Sequence, residues 1–141
     1  MHERSSVFYG TVLRADVASI TLGERSNLQD NVTVHCDSGV PTTIGSGVSV
    51  GHAATLHGCT IEDDCLIGMG ATVLNHAVIG TGSLVAAGTV VLEGTIVPPG
   101  SLVAGVPGKV RRELTDEERA GIRANGERYV QYAVAHREAT S

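Results

Sequence analysis

The feature that most constrains this chain is a period of six residues. Aliphatic residues, most of them followed by a small residue, recur at Leu22-Gly23, Leu28, Val34, Ile44-Gly45, Val50-Gly51 and Leu56. After a slip of one residue they continue at Ile61-Glu62, Ile67-Gly68, Val73, Ile79-Gly80, Val85-Ala86, Val91, Val97 and Val103-Ala104. Hexapeptide repeats specify a parallel β-helix: each six residues form a short strand and a corner, and three of them close one coil. The aliphatic side chain points into the prism, and the small residue after it permits a tight corner. Composition agrees, because aromatic residues are 3% of the 141 while glycine occurs 18 times. A core without rings must be filled in thin layers by Val, Ile, Leu and Ala.

The chain divides into two compositional parts. Residues 1–108 carry 16 of the 18 glycines, whereas residues 109–141 are rich in charge. Between them lies the turn Val106-Pro107-Gly108, followed by Lys109-Val110-Arg111-Arg112. Thr115-Asp116-Glu117-Glu118 then reads as a capping box. Ile122, Tyr129, Val130, Ala133 and Val134 give the following segment an apolar stripe at helical spacing, weakened by Gly121 and Gly126. The expected organisation is a β-helix over 1–108 and an amphipathic helix over 109–141 that packs on it.

A net charge of −5 argues against nucleic acid or an anionic membrane surface as partner. No apolar run approaches the ~18–20 residues of a membrane span, and no signal peptide opens the chain. Cys36, Cys59 and Cys65 are an odd set without a CxxC, so no disulfide framework is expected and the default compartment is a reducing cytoplasm.

Periodicity does not fix handedness, and the usual crossover rule favours right-handed coils. The [Ile/Val/Leu]-Gly-x-x repeat resembles the bacterial hexapeptide-repeat superfamily, which implies left-handed coils and a homotrimer.

Counted in rungs, three histidines form a pattern. His35 follows Val34 and His57 follows Leu56; three rungs separate them, one full coil. Their separation of 22 residues is one coil of eighteen plus an insertion of four around Cys36-Asp37-Ser38-Gly39-Val40-Pro41. The two imidazoles therefore stack on one face, about 4.8 Å apart along the axis, close enough to share a metal ion. His52 belongs to the preceding face and does not reach them within one subunit. In a threefold assembly a neighbour's adjacent face comes alongside, giving one site per interface with His35 and His57 from one chain and His52 from the next. Three imidazoles leave a fourth position open, as in catalytic zinc sites. Fe2+ and Co2+ also suit such a donor set. His76 reads as a corner residue, and His2 and His136 as solvated ends.

Arg14-Ala15-Asp16, then Asn27-Leu28-Gln29-Asp30, then the three-histidine spacing appear together and in order. This combination resembles the gamma-class carbonic anhydrase family, in its short bacterial branch, from about Val7 to the C-terminal helix. The resemblance implies that His35, His52 and His57 hold Zn2+. It implies reversible hydration of carbon dioxide to bicarbonate by a zinc-bound hydroxide at the subunit interface. It places Arg14, Asp16, Asn27, Gln29 and Asp30 along the site or the interface. Gln29 is the candidate for orienting the hydroxide, and Asp30 for pairing with Arg14 across the interface. Arg14, Asp16 and Asp30 equally suit a plain salt-bridge network, and Asn27 a corner.

Two departures stand out. Archaeal members carry one glutamate directly after the Arg-x-Asp motif and another in an acidic loop beside the first histidine ligand. Here Val17 follows Asp16, and Asp37 is the only acid of the loop after His35. Slow activity, or none, is implied, with Asp37, Tyr129 or Tyr132 as substitute proton carriers. Ser6-Val7-Phe8-Tyr9 also begins where family members have completed a coil or two, which implies an exposed coil end and coils missing from a longer chain. Two other readings of the same fold remain: a coenzyme A-dependent acyltransferase, whose C-terminal end Ala104-Gly105-Val106-Pro107-Gly108 resembles, and a non-catalytic structural trimer.

Overall fold

The computed structural model describes Met1–Ser141. The first coil contains β1 (Ser6–Val7), β2 (Val12–Leu13) and β3 (Ile20–Leu22), and the second β4 (Asn27–Leu28), β5 (Thr33–His35) and β6 (Thr42–Ile44). The third contains β7 (Ser49–Val50), β8 (Thr55–His57) and β9 (Thr60–Ile61), and the fourth β10 (Leu66–Ile67), β11 (Thr72–Val73) and β12 (Val78–Ile79). The fifth contains β13 (Leu84–Val85), β14 (Val90–Val91) and β15 (Ile96–Val97); β16 (Ser101–Ala104) opens a sixth. Every third strand stacks in parallel on its predecessor, so three sheets form the walls of a left-handed prism. The first wall runs β1-β4-β7-β10-β13-β16, the second β2-β5-β8-β11-β14 and the third β3-β6-β9-β12-β15.

The fourteen expected rungs all point inward: Leu22, Leu28, Val34, Ile44, Val50, Leu56, Ile61, Ile67, Val73, Ile79, Val85, Val91, Val97 and Val103 are buried and form one cluster. Two rungs escaped the period, at Val7 and Leu13, which pack against the cluster from below. They were hidden because Leu13 and Leu22 are nine residues apart, a second insertion that lengthens the first coil to 21 residues. The small residue after each aliphatic one answers to stacking as well as to cornering. A Cβ on Gly68 would lie 2.5 Å from the Ala87 nitrogen, and one on Gly80 2.5 Å from the Val97 oxygen, each in the coil above. The left-handed backbone falls elsewhere in the corners, and several of those positions are not glycine, among them Ala53, Asp64 and His76. His76 is thus a corner residue, as expected. Cys36, Cys59 and Cys65 are buried free thiols. Burial pushes the Cys59 and Cys65 thiols up to about 12, which makes them inert fillers of the wall.

The tail departs from expectation at its start. Lys109–Glu113 is a strand, β17, antiparallel to β16, and the helix α1 runs only over Asp116–Thr140. Its charged residues carry no strand pattern; the open edge of the last coil supplies the hydrogen-bonding partner and is itself covered. Thr115 caps α1 through a capping box with Glu118. The helix descends the first wall over β7, β4 and β1, burying Ile122 and Gly126. Lower down lie all the Phe and Tyr rings of the chain. Phe8 meets Tyr129 edge-on with centroids 5.5 Å apart, Tyr129 meets Tyr132 at 5.3 Å, and the Tyr9 hydroxyl lies 2.9 Å from His136 Nδ1. His136 is exposed, as expected of a solvated end, yet it also joins the contacts that hold the helix. No helix is long and apolar enough to cross a membrane.

Gly121 is exposed, and a Cβ added there meets nothing within 4 Å. Gly121→Ala is expected to raise stability by roughly 0.5–1 kcal/mol through helix propensity, read as a higher thermal midpoint. Arg112 and the capping contacts hold the Glu118 carboxyl down at about 2, below its ordinary 4.5. A depressed acid stabilises the fold above its ordinary value and loses that contribution as pH falls through 4.5 toward 2. Circular dichroism across that window should show α1 loosening in the wild type, and Glu118→Gln should flatten the dependence.

Candidate functional site

The register of the second wall places the histidines. β5 and β8 pair with His35 directly opposite His57, so the four-residue insertion counts as expected. The isolated bridge between Asp37 and Val40 closes the inserted loop. The two rings meet edge-on, with centroids 5.0 Å apart, and His35 Nδ1 lies 3.1 Å from His57 Nε2.

The outer partners decide which nitrogens carry protons. Asp16 Oδ1, an acceptor only, lies 2.9 Å from His35 Nε2, so Nε2 holds the hydrogen and Nδ1 presents a lone pair. On the other ring the logic has one more link. Asp37 Oδ2 accepts from Asn75 Nδ2 at 2.7 Å, which turns Asn75 Oδ1 toward His57 Nδ1, also at 2.7 Å. His57 Nδ1 must then donate, and Nε2 presents its lone pair. Two lone pairs thus face each other at 3.1 Å. Neutral rings so arranged repel unless a proton or a metal cation lies between them. Bonds of ~2.0–2.1 Å to a tetrahedral ion hold two nitrogens ~3.3–3.4 Å apart, close to the observed gap. Asp16 is held below its usual range, first by the His35 hydrogen bond and then by Arg14. Arg14 pairs with Asp16 and brings Nη2 to 3.5 Å from His35 Nδ1, the lone pair itself.

His52 lies on the other edge of the second wall, in the corner after β7. Its Nδ1 is 3.0 Å from Asp30 Oδ2, so its Nε2 is the free nitrogen of a half-exposed ring. Within the chain Asp30 thus pairs with His52, while Arg14 pairs with Asp16. No group of three metal-binding side chains forms inside one chain. Gln29 and Asn27 belong to the His52 side: Gln29 Nε2 donates to Asn27 Oδ1 at 3.1 Å, and Asn27 Nδ2 donates to Ser49 Oγ at 3.0 Å. Asn27 is a buried strand residue of β4, not a corner. The candidate residues therefore fall into two groups. Arg14, Asp16, His35 and His57 are together at one edge, with Asn27, Gln29, Asp30 and His52 at the other. Asn75 is the participant that sequence reasoning passed over. It follows His57 by 18 residues, but the short step after Leu56 puts Leu74 opposite His57 and moves Asn75 one place out of the column.

Known proteins resemble this chain in sequence and in fold. Residues 41–75 and 58–93 match the family described as bacterial transferase hexapeptide (six repeats). A probable carbonic anhydrase of Methanocaldococcus jannaschii is 54% identical over 89% of this chain and 79% of its own length. The mitochondrial gamma carbonic anhydrase 2 of Arabidopsis thaliana is 45% identical over 94% of this chain, which spans 50% of the plant protein. Among solved structures, a putative acetyltransferase from Bacillus cereus superposes with a TM-score of 0.96 at 39% identity, covering 97% of this chain and 80% of that one.

Outer partners that fix an imidazole's tautomer typically contribute 10–100-fold in metal affinity. Asp16→Asn and Asn75→Ala are each expected to weaken Zn2+ binding by that factor, measured by competition with a chelator. Unchanged affinity in both would remove the tautomer assignment.

Proposed function

This chain belongs to the gamma carbonic anhydrase family of hexapeptide-repeat proteins, and from that premise we propose that it catalyses the reversible hydration of carbon dioxide to bicarbonate. The site is shared between protomers of a homotrimer, with His35 and His57 from one chain and His52 from its neighbour. The residues fit a divalent ion, Zn2+ first and Fe2+ or Co2+ as alternatives. The observation that carries this reading is the pair of ring nitrogens 3.1 Å apart, on imidazoles whose other nitrogens face Asp16 and Asn75. The outward Nε2 of His52 is a third donor of the same kind.

A bound ion would act as a Lewis acid that lowers the pKa of water, so that hydroxide is available to carbon dioxide near neutral pH. Everything else falls to the chain. Asp16 and the Asn75–Asp37 pair hold the His35 and His57 rings in the tautomers that expose Nδ1 and Nε2. Asp30 does the same for His52. Arg14 fixes Asp16 and adds positive charge beside an anionic product. Gln29, anchored through Asn27, presents its remaining amide oxygen on the His52 side, where it can accept a hydrogen bond from water and orient it. Proton exit is the slow step of this arrangement: Val17 has no titratable group, and Asp37 is the only acid in the loop after His35.

The Bacillus cereus likeness favours one other reading, acyl transfer from coenzyme A. That chemistry needs a single histidine base and no metal, so three histidines each oriented by its own polar partner speak for the hydration reading.

Metal analysis of the purified chain together with stopped-flow carbon dioxide hydration tests the proposal. The expected result is about one divalent ion per chain, with His57→Ala and His52→Ala each losing the metal and at least a hundredfold in rate. Hydration rates equal in wild type and His57→Ala would contradict it, and a metal-free trimer that acetylates from acetyl coenzyme A would establish the other reading.

A further inference from the structure

The prism has three corners, and the metal half-sites occupy two of them. The third joins the third wall to the first and runs beneath the opening turns of α1. There Arg119 and Arg123, one helical turn apart, line a groove with Asp64, Thr81, Gly82, Pro99 and Gly100. The guanidinium of Arg119 lies flat on Gly100, so close that a Cβ at that position would be 2.9 Å from Cζ. Its Nε is buried and has no hydrogen-bond partner. No carboxylate forms an ion pair with either arginine. Like charges on successive turns of a helix repel, and a buried N–H without an acceptor is costly. The first cost vanishes if an anion lies between the two side chains.

We propose that this groove binds a small oxyanion that carries one hydroxyl, the class to which bicarbonate and hydrogen phosphate belong. Arg119 and Arg123 offer planar forks suited to oxyanions. Asp64 is the one acid lining the groove. It repels an oxyanion without a proton but accepts the O–H of one that has it, so the same carboxylate selects against sulfate. The groove's 240 Å³ suits a single such ion and falls short of the ~300–1,000 Å³ typical for larger ligands. The site lies at the corner opposite the second wall and does not depend on the proposed metal centre.

The test uses the full chain stripped of metal with a chelator, so that no oxyanion binds at the histidines. Titration calorimetry at constant ionic strength follows sodium phosphate, bicarbonate and sulfate against a chloride background. Saturable binding of phosphate or bicarbonate is expected, at least tenfold tighter than sulfate. The tighter of the two distinguishes the product of carbon dioxide hydration from free phosphate as the natural occupant. Arg119→Gln and Arg123→Gln should each weaken binding tenfold or more, and Asp64→Asn should bring sulfate level with phosphate. Arg123 is exposed and makes no ion pair within the chain, so its variant serves if Arg119→Gln does not fold. Absence of saturable binding, or the same isotherm in wild type and Arg123→Gln, overturns the site. Sulfate equal to phosphate in the wild type overturns the role of Asp64.

Discussion

Everything at the functional edge depends on the parallel pairing of β5 with β8. That register sets His35 opposite His57 and brings two ring nitrogens to 3.1 Å. A slip of one residue would turn one histidine into the prism and its neighbouring aliphatic residue out, so the buried column of Val34 and Leu56 locks the polar column beside it. The core and the site are therefore one construction. Aliphatic packing inside the second wall is what makes the imidazole spacing on its rim reproducible.

Around that pair, carboxylates and an amide do the work of proton assignment. Asp16, Asp30 and Asp37 accept hydrogen bonds, the last through Asn75, and each leaves one lone pair of a histidine facing outward. The chain separates these lone pairs into two on one edge of the second wall and one on the other. The proposed assembly of copies follows from this separation, since neither edge alone offers three donors. The putative acetyltransferase neighbour shares the prism, so the hydration reading rests on the polar dressing of the second wall and not on the fold.

Much of this was legible in the sequence, for identifiable reasons. An inward column tolerates only aliphatic residues, so the six-residue period exposed fourteen rungs and, through the insertion at Cys36–Pro41, the stacking of His35 on His57. Val7 and Leu13 went unseen because the insertion before Ile20 breaks the period before it is established. Lys109–Glu113 had no pattern to read, since that strand exists to cover an edge and needs only its backbone. His136 meets Tyr9 across 127 positions, a contact no local spacing encodes. Asn75 sits one residue outside its column, where counting by sixes does not look.

The central claim, that a site is completed by a neighbour's His52, is tested most directly by subunit mixing. Equal amounts of His57→Ala and His52→Ala chains, each inactive alone, are unfolded together and reassembled. A shared site predicts that about a quarter of interfaces regain all three rings in a random closed ring of subunits, with metal and hydration activity recovering in proportion. If all three histidines served one chain, the mixture would stay as empty and as slow as its two components.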